Sequence, residues 1–315
     1  MPGSAAFRPG SLTTASLVQT WPTAVVVTGY GAALDGDMES LGDLGVALRR
    51  APFNGNDRSI AERSPAAAAL AAAVGHAIGH PATGRLPPPD GRAIVMGTCA
   101  AALHEVICFM EETISVGPSL VNPGLFPFTV INAAAGLAAI EHDCRGPNLT
   151  LSNGRTSAFD ALAYAADLVA SGRAQLAFAG GFEGLTGRVN RVLARPAPPA
   201  ALAGVFVLAT EQLAGAMGAR ACARLLAYAP ARSMAAGNAT ATRDALLATA
   251  AALAPGSRSE TVTAGAGCEG SLVALLAAVH RLAAGVPEEA GATLPVLLAD
   301  GDEGWAGIVL GGVAG

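Results

Sequence analysis

Short continuous apolar runs alternate with longer alanine-rich or amphipathic stretches along most of this chain. The runs fall at 24–28, 93–96, 149–152, 175–179, 204–209, 223–228, 259–263, 295–299 and 306–310. Runs of this kind, without polar alternation, predict strands buried on both faces. Between them, helical stretches are predicted near 40–50, 64–79, 100–116, 130–142, 156–171, 211–217, 240–253 and 270–284. Ser64 ahead of Pro65 reads as an N-cap with proline in the first turn, and Gly172 as the stop of the 156–171 helix. Strands alternating with helices predict an α/β layered protein.

The Pro-rich stretch at 195–200 is the clearest joint, dividing a longer first half (21–195) from a shorter second half (199–315). Both halves read strand, helix, strand in a similar order. Residues 1–20 predict a disordered tail, with no apolar run ahead of a cleavage site. The stretches 9–34 and 113–140 carry no charge, yet Pro, Gly and hydroxyl residues interrupt both. Neither predicts a spanning helix of about 20 residues.

Charged residues make up 14% of the chain, against about 25% in ordinary globular proteins. Sparse charge with abundant alanine fits a surface covered by a partner or a biased composition; the lack of any lysine favours the second. A net charge of −5 without an Arg-rich run argues against nucleic acid, whose binding rests on phosphate neutralisation. Cys99, Cys108, Cys144, Cys222 and Cys268 are odd in number and widely spaced. They predict a reduced, cytoplasmic protein with neither a disulfide framework nor a zinc site. His76, His80, His142 and His280 show no metal-ligand spacing and read as surface or capping residues. The Gly29-Tyr30-Gly31 turn lacks the third glycine of a dinucleotide fingerprint.

The densest chemistry lies at 147–160, where a strand runs through Ser152-Asn153-Gly154 straight into a helix. Many enzymes hold a nucleophile at such an elbow, where the tight turn exposes a side chain and the helix N-terminus stabilises negative charge. Here the apex is Arg155, a permanent cation that cannot attack a carbonyl. Arg155 either neutralises an anion, locks the pocket through a pair with Asp160, Glu183 or Glu269, or fills space left by a lost site. Ser152 and Ser157 have no Gly-x-Ser-x-Gly frame around them. Cys99 follows a strand and opens the 100–116 helix, where a thiolate is favoured, but His104 does not share its face. The balance favours reading Cys99 as a small buried apolar residue, as free cysteines usually are.

Several of these segments resemble the β-ketoacyl synthases of the thiolase superfamily. The resemblance is carried by residues 126–136, 145–150, 160–164, 171–174 and 179–183, with fainter support from 25–32 and 96–98. It implies an α/β, thiolase-like layered α-β-α-β-α fold built from two similar halves. It also implies a cysteine at the elbow, two histidines and a lysine in any working member. The elbow is Arg155, no histidine lies between 229 and 262, Ala264 stands at the second histidine's place, and lysine is missing. The family's glycine-rich gate is reduced to 300–304.

Such a chain resembles the chain-length factors of type II polyketide synthases. No catalytic residue is expected, and the resemblance implies heterodimerisation with an active ketosynthase. Acyl groups then arrive on the phosphopantetheine arm of an acyl carrier protein, with no cofactor of the chain's own and no membrane. Arginine in place of the usual glutamine, and the short length, leave the product class open and admit a polyene-type, reducing system. The strand before the elbow, Leu149, Thr150, Leu151 and Ser152, is the expected dimer interface. Val106, Phe109, Met110 and Thr113 fall on one helix face and are the expected tunnel lining; the same spacing reads equally as ordinary core. Two alternatives stay open: an autonomous acyltransferase or thioester hydrolase using Cys99, and a homodimeric acyl-binding scaffold.

Overall fold

The computed structural model describes residues 18–36, 64–100, 102–195, 200–230, 241–253, 262–263, 270–283, 293–299 and 305–313. In chain order the first half gives β1 (Gln19–Gly36), α1 (Pro65–Ile78), β2 (Arg92–Gly97), α2 (Leu103–Val116), α3 (Ala133–Glu141), β3 (Asn148–Leu151), α4 (Ser157–Ala170), β4 (Leu176–Leu185) and α5 (Gly187–Val192). The rest gives β5 (Ala200–Thr210), α6 (Glu211–Ala216), β6 (Ala223–Ala229), α7 (Ala241–Leu253), β7 (Val262–Thr263), α8 (Gly270–Ala283), β8 (Thr293–Ala299) and β9 (Trp305–Gly311).

The described strands form one mixed sheet in the order β3-β2-β4-β5-β1-β6-β9-β8-β7. β2 runs parallel to β3 and β4, while β5 lies antiparallel between β4 and β1. β1 bridges the two parts, pairing antiparallel with β5 on one side and β6 on the other.

Side-chain alternation assigns the layers. From β2 and β5, Ala93, Val95, Phe206 and Leu208 enter one core; Ile94, Met96, Val205 and Val207 enter another. α1 and α3 cover the second core as an outer layer. α4 and α8 share the first core with β6, β8 and β9, so they lie between the two strand sets. α7 packs on Ala227, Ala229 and Val309 as the far layer. The result is the expected thiolase-like α-β-α-β-α arrangement, in which central strands are apolar on both faces because helices cover both.

Local signals explain several boundaries. Ser64 caps α1 by accepting from Ala67 N at 3.2 Å. Gly172, at φ +72°, lies just past α4 in the left-handed conformation that ends helices. Gly97 closes β2 against the start of α4, where a Cβ would sit 2.1 Å from the Ser157 carbonyl oxygen.

Some expectations need correction. The stretch 100–116 becomes a helix only from Leu103, and 130–142 only from Ala133, preceded by a 3-10 turn at Pro123–Thr129. The run 175–179 extends to Leu185, and β1 is far longer than 24–28 because it has a partner on each side. Gln19 and Thr20, read as tail, belong to β1; the rest of that tail, through residue 17, lies outside the described residues. So do the helix expected near 40–50, most of the 195–200 joint, Cys268, Glu269, Ala264 and 300–304.

Candidate functional site

β3 stops at Leu151, and Gly154 at φ +74° turns the chain into a short 3-10 segment, Gly154–Thr156, that feeds α4. Ser157 closes this elbow: its hydroxyl donates to the Gly154 carbonyl at 2.6 Å and accepts from Asn153 N at 2.9 Å. Asp160, one turn into α4, accepts from Asn153 Nδ2 at 3.0 Å and Thr156 Oγ1 at 3.1 Å. The Tyr228 hydroxyl on β6 donates to its other oxygen. Burial and the Asp160 charge push the Tyr228 phenol far above its ordinary range.

Arg155 sits partly buried at the apex. It lines a small cavity, with room for about one water, together with Gly97, Gly154, Ser157, Ala158, Gly181, Phe182, Glu183 and Leu272. Of the partners expected for Arg155, Glu183 shares this cavity, Asp160 is engaged by the elbow and Tyr228, and Glu269 lies outside the described residues. Glu183 is 3% exposed and holds the turn after β2, accepting from Cys99 N at 2.6 Å, Ala100 N at 2.9 Å and Thr98 Oγ1 at 3.4 Å. The cavity thus presents a fixed cation and a buried carboxylate. Among the described residues that line it, Arg155 and Glu183 carry the charge, and none is a cysteine or histidine.

Cys99 does not occupy the place expected of it. Helix α2 starts at Leu103 with Ala102 at its N-cap, so Cys99 lies in the preceding turn, with the Glu183 carboxylate on its amide. His104 instead faces Cys108: Nε2 lies 3.6 Å from Sγ, and Nδ1 lies 2.8 Å from Thr186 Oγ1. The i, i+4 spacing on a helix was the signal for this pair.

The face bearing Val106, Phe109, Met110 and Thr113 is not ordinary core. Val106 and Met110 are exposed, Met110 by 50%. The Phe109 ring meets Phe126 edge-on at 6.1 Å, and Thr113 Oγ1 donates to the Phe109 carbonyl at 2.7 Å. Ile114, Leu120, Phe126, Val130 and Ile131 extend this exposed apolar surface. On β3, Leu149 and Leu151 pack on the inner core, and Thr150 Oγ1 is buried with no hydrogen-bond partner. Ser152 lies beyond the strand and is exposed. Among the described strands β3 is the sheet's edge and pairs with β2.

The histidines read as surface or capping residues mostly tie elements together. His76 Nδ1 meets the Ala32 carbonyl, His142 Nε2 meets the Ala71 carbonyl, and His280 Nδ1 meets the Tyr30 hydroxyl, each at 2.8 Å. Burial raises the Cys144 and Cys222 thiols to about 11, which marks them as inert. Among the described residues no group of three His, Cys, Asp or Glu side chains could hold a metal, and no single helix is long and apolar enough to cross a membrane.

Residues 52–201 match the family model for the β-ketoacyl synthase N-terminal domain. The 3-oxoacyl-[acyl-carrier-protein] synthase 2 of Vibrio cholerae is 31% identical over 90 residues, 29% of this chain and 22% of that protein. The enzyme of the same name from Coxiella burnetii is 31% identical over 73 residues, 23% of this chain and 18% of that protein. The aligned stretch therefore spans about a fifth of these curated relatives. The ishigamide ketosynthase/chain length factor superposes with a TM-score of 0.71 at 20% identity, covering 92% of this chain and all of that one. A type II polyketide ketosynthase, AntDE, solved with its acyl-carrier protein and a hexaketide, gives 0.70 at 16% identity, with 92% and 100% covered. The fold is therefore that of the β-ketoacyl synthases, of the thiolase type, and residues 52–201, just under half of the chain, match the N-terminal domain of that family. The elbow of this chain holds Arg155 where the resemblance implies a cysteine.

Proposed function

We propose that this chain is the non-catalytic partner of an active β-ketoacyl synthase, a chain-length-factor-like subunit of a type II polyketide synthase. The observation that carries this reading is Arg155 at the elbow apex. A guanidinium offers no nucleophilic lone pair for attack on a thioester. The exposed apolar surface from α2 to Ile131 supports a protein partner, since contiguous apolar patches on isolated chains mark interaction sites. The open β3 edge supports strand-to-strand pairing at the same interface.

On this reading Leu149, Thr150 and Leu151 join the partner's strand, with Ser152 flanking. Val106, Phe109, Met110 and Thr113 border the acyl tunnel. The partner supplies cysteine and histidines, and acyl groups arrive on the phosphopantetheine arm of an acyl carrier protein, in the cytoplasm. The finer form of the proposal is a polyene-type, reducing pathway.

Co-expression with a neighbouring ketosynthase tests it: equimolar co-elution and elongated products only from the pair are expected, with longer products from Phe109→Ala. Malonyl-thioester decarboxylation by the purified chain alone, lost in Cys99→Ser, would replace this reading with the autonomous enzyme. A stable homodimer that binds acyl chains and takes no ketosynthase would replace it with the scaffold.

A further inference from the structure

Outside the elbow, α2 and α5 bring together a thiol, an imidazole and a hydroxyl in line. Cys108 Sγ lies 3.6 Å from His104 Nε2, and His104 Nδ1 lies 2.8 Å from Thr186 Oγ1. Thr186 is the N-cap of α5 and accepts from Val189 N at 3.5 Å, so its position is fixed by a helix end. When Nε2 accepts the thiol proton, Nδ1 carries the ring hydrogen and donates it to Thr186. This is the nucleophile, base and orienting group arrangement of covalent catalysis.

The surroundings keep the pair in that form. His104 is 7% exposed, whereas Cys108 is half-buried and reachable. Burial holds the imidazole below its ordinary range, so it is neutral and able to accept a proton. Burial also raises the Cys108 thiol, with Arg188 opposing that shift and Glu111 and Glu105 adding to it. The thiol therefore rests protonated and can attack only as His104, 3.6 Å away, takes its proton in the same step; unlike the buried Cys144 and Cys222, it has that base beside it. Arg188 is fixed at the rim by its 2.9 Å pair with Glu111.

We infer that Cys108 is a covalent acyl-acceptor site for acyl thioesters, with His104 as its base and Thr186 as the residue that positions His104. The choice of acyl thioester rests on the reading that such groups reach this helix in a ketosynthase pair. In the transfer, Cys108 Sγ attacks the thioester carbonyl carbon as its proton passes to His104 Nε2. The bond from that carbon to the carrier sulfur breaks, and the proton leaves with the released thiol. One thioester replaces another, so no oxidant or reductant is consumed.

The test uses the purified chain alone with hexanoyl-N-acetylcysteamine, followed by intact mass and peptide mapping. A single hydroxylamine-labile hexanoyl group on Cys108 is expected, slowed at least tenfold in His104→Gln and several-fold in Thr186→Val, and unchanged in Cys99→Ala. No adduct on Cys108, an adduct on another cysteine instead, or an undiminished rate in His104→Gln overturns the inference. Should His104→Gln not fold, the wild-type rate against pH decides. A rise at the pH of an imidazole supports the dyad, and a rise at the pH of an unassisted thiol refutes it. Because no partner is present, failure here leaves the heterodimer standing, and failure to bind a ketosynthase leaves this readout intact.

Discussion

The Tyr228 hydroxyl on β6 donates to the carboxylate of Asp160, one turn past the elbow on α4. The same carboxylate gathers Asn153 and Thr156, so one acidic side chain ties the elbow to a strand of the second half. Tyr228→Phe should therefore lower stability by about 1.5–3 kcal/mol, the range for a hydrogen bond to a charged group. Urea unfolding measures it, and an unchanged midpoint would show that Asn153 and Thr156 hold Asp160 by themselves.

Glu183 stabilises the turn after β2 by satisfying two backbone amides and a threonine hydroxyl. In Glu183→Ala the Cys99 and Ala100 amides lose their acceptor inside a nearly closed site. A loss of about 2–4 kcal/mol is expected, from a desolvation cost of about 1–3 kcal/mol for each buried unpaired group. Faster amide hydrogen exchange confined to residues 98–102 would accompany it.

Glu105 works against the fold. It is 4% exposed on the first turn of α2, and neither carboxylate oxygen makes a well-formed hydrogen bond. Burial raises its carboxyl above the usual carboxylate range, the Ser64 hydroxyl offsetting part of the shift. An acid whose folded value is raised is no burden while protonated, and it destabilises as pH climbs through the unfolded and then the folded value. Glu105→Gln should gain about 1–2 kcal/mol at neutral pH, with the gain vanishing below about pH 4. Thermal melts across this pH range check the sign.

Met110 and Ile114 stand in solvent on the isolated chain. Met110→Glu or Ile114→Glu should change its stability by no more than about 0.5 kcal/mol, as for other exposed positions. Burial of a charge in the proposed interface costs far more. Loss of ketosynthase co-elution with an unchanged melting temperature is the expected result, and retained co-elution would move the interface elsewhere.

Much of the fold was legible. Apolar runs marked the central strands because β2, β4 and β5 are covered on both faces and tolerate no polar side chain. Ser64 and Gly172 marked helix ends because capping depends on the residues themselves. Less legible was the start of α2: the stretch 98–102 is apolar enough for helix, but Glu183, distant in sequence, takes the amides of Cys99 and Ala100. The contact of His104 with Cys108, by contrast, was legible in their i, i+4 spacing on one helix.

The amino-acid order alone settled what the elbow cannot do, since a guanidinium at position 155 lacks a nucleophilic lone pair in any conformation. It also settled the α/β class, because strand and helix periods are written locally. Tertiary structure decided which apolar stripe is core and which is surface. Val106, Phe109, Met110 and Thr113 have the spacing of a buried face, yet no other described element covers Met110. Spacing fixes which side chains share a face, whereas burial is set by whatever distant segment packs against it.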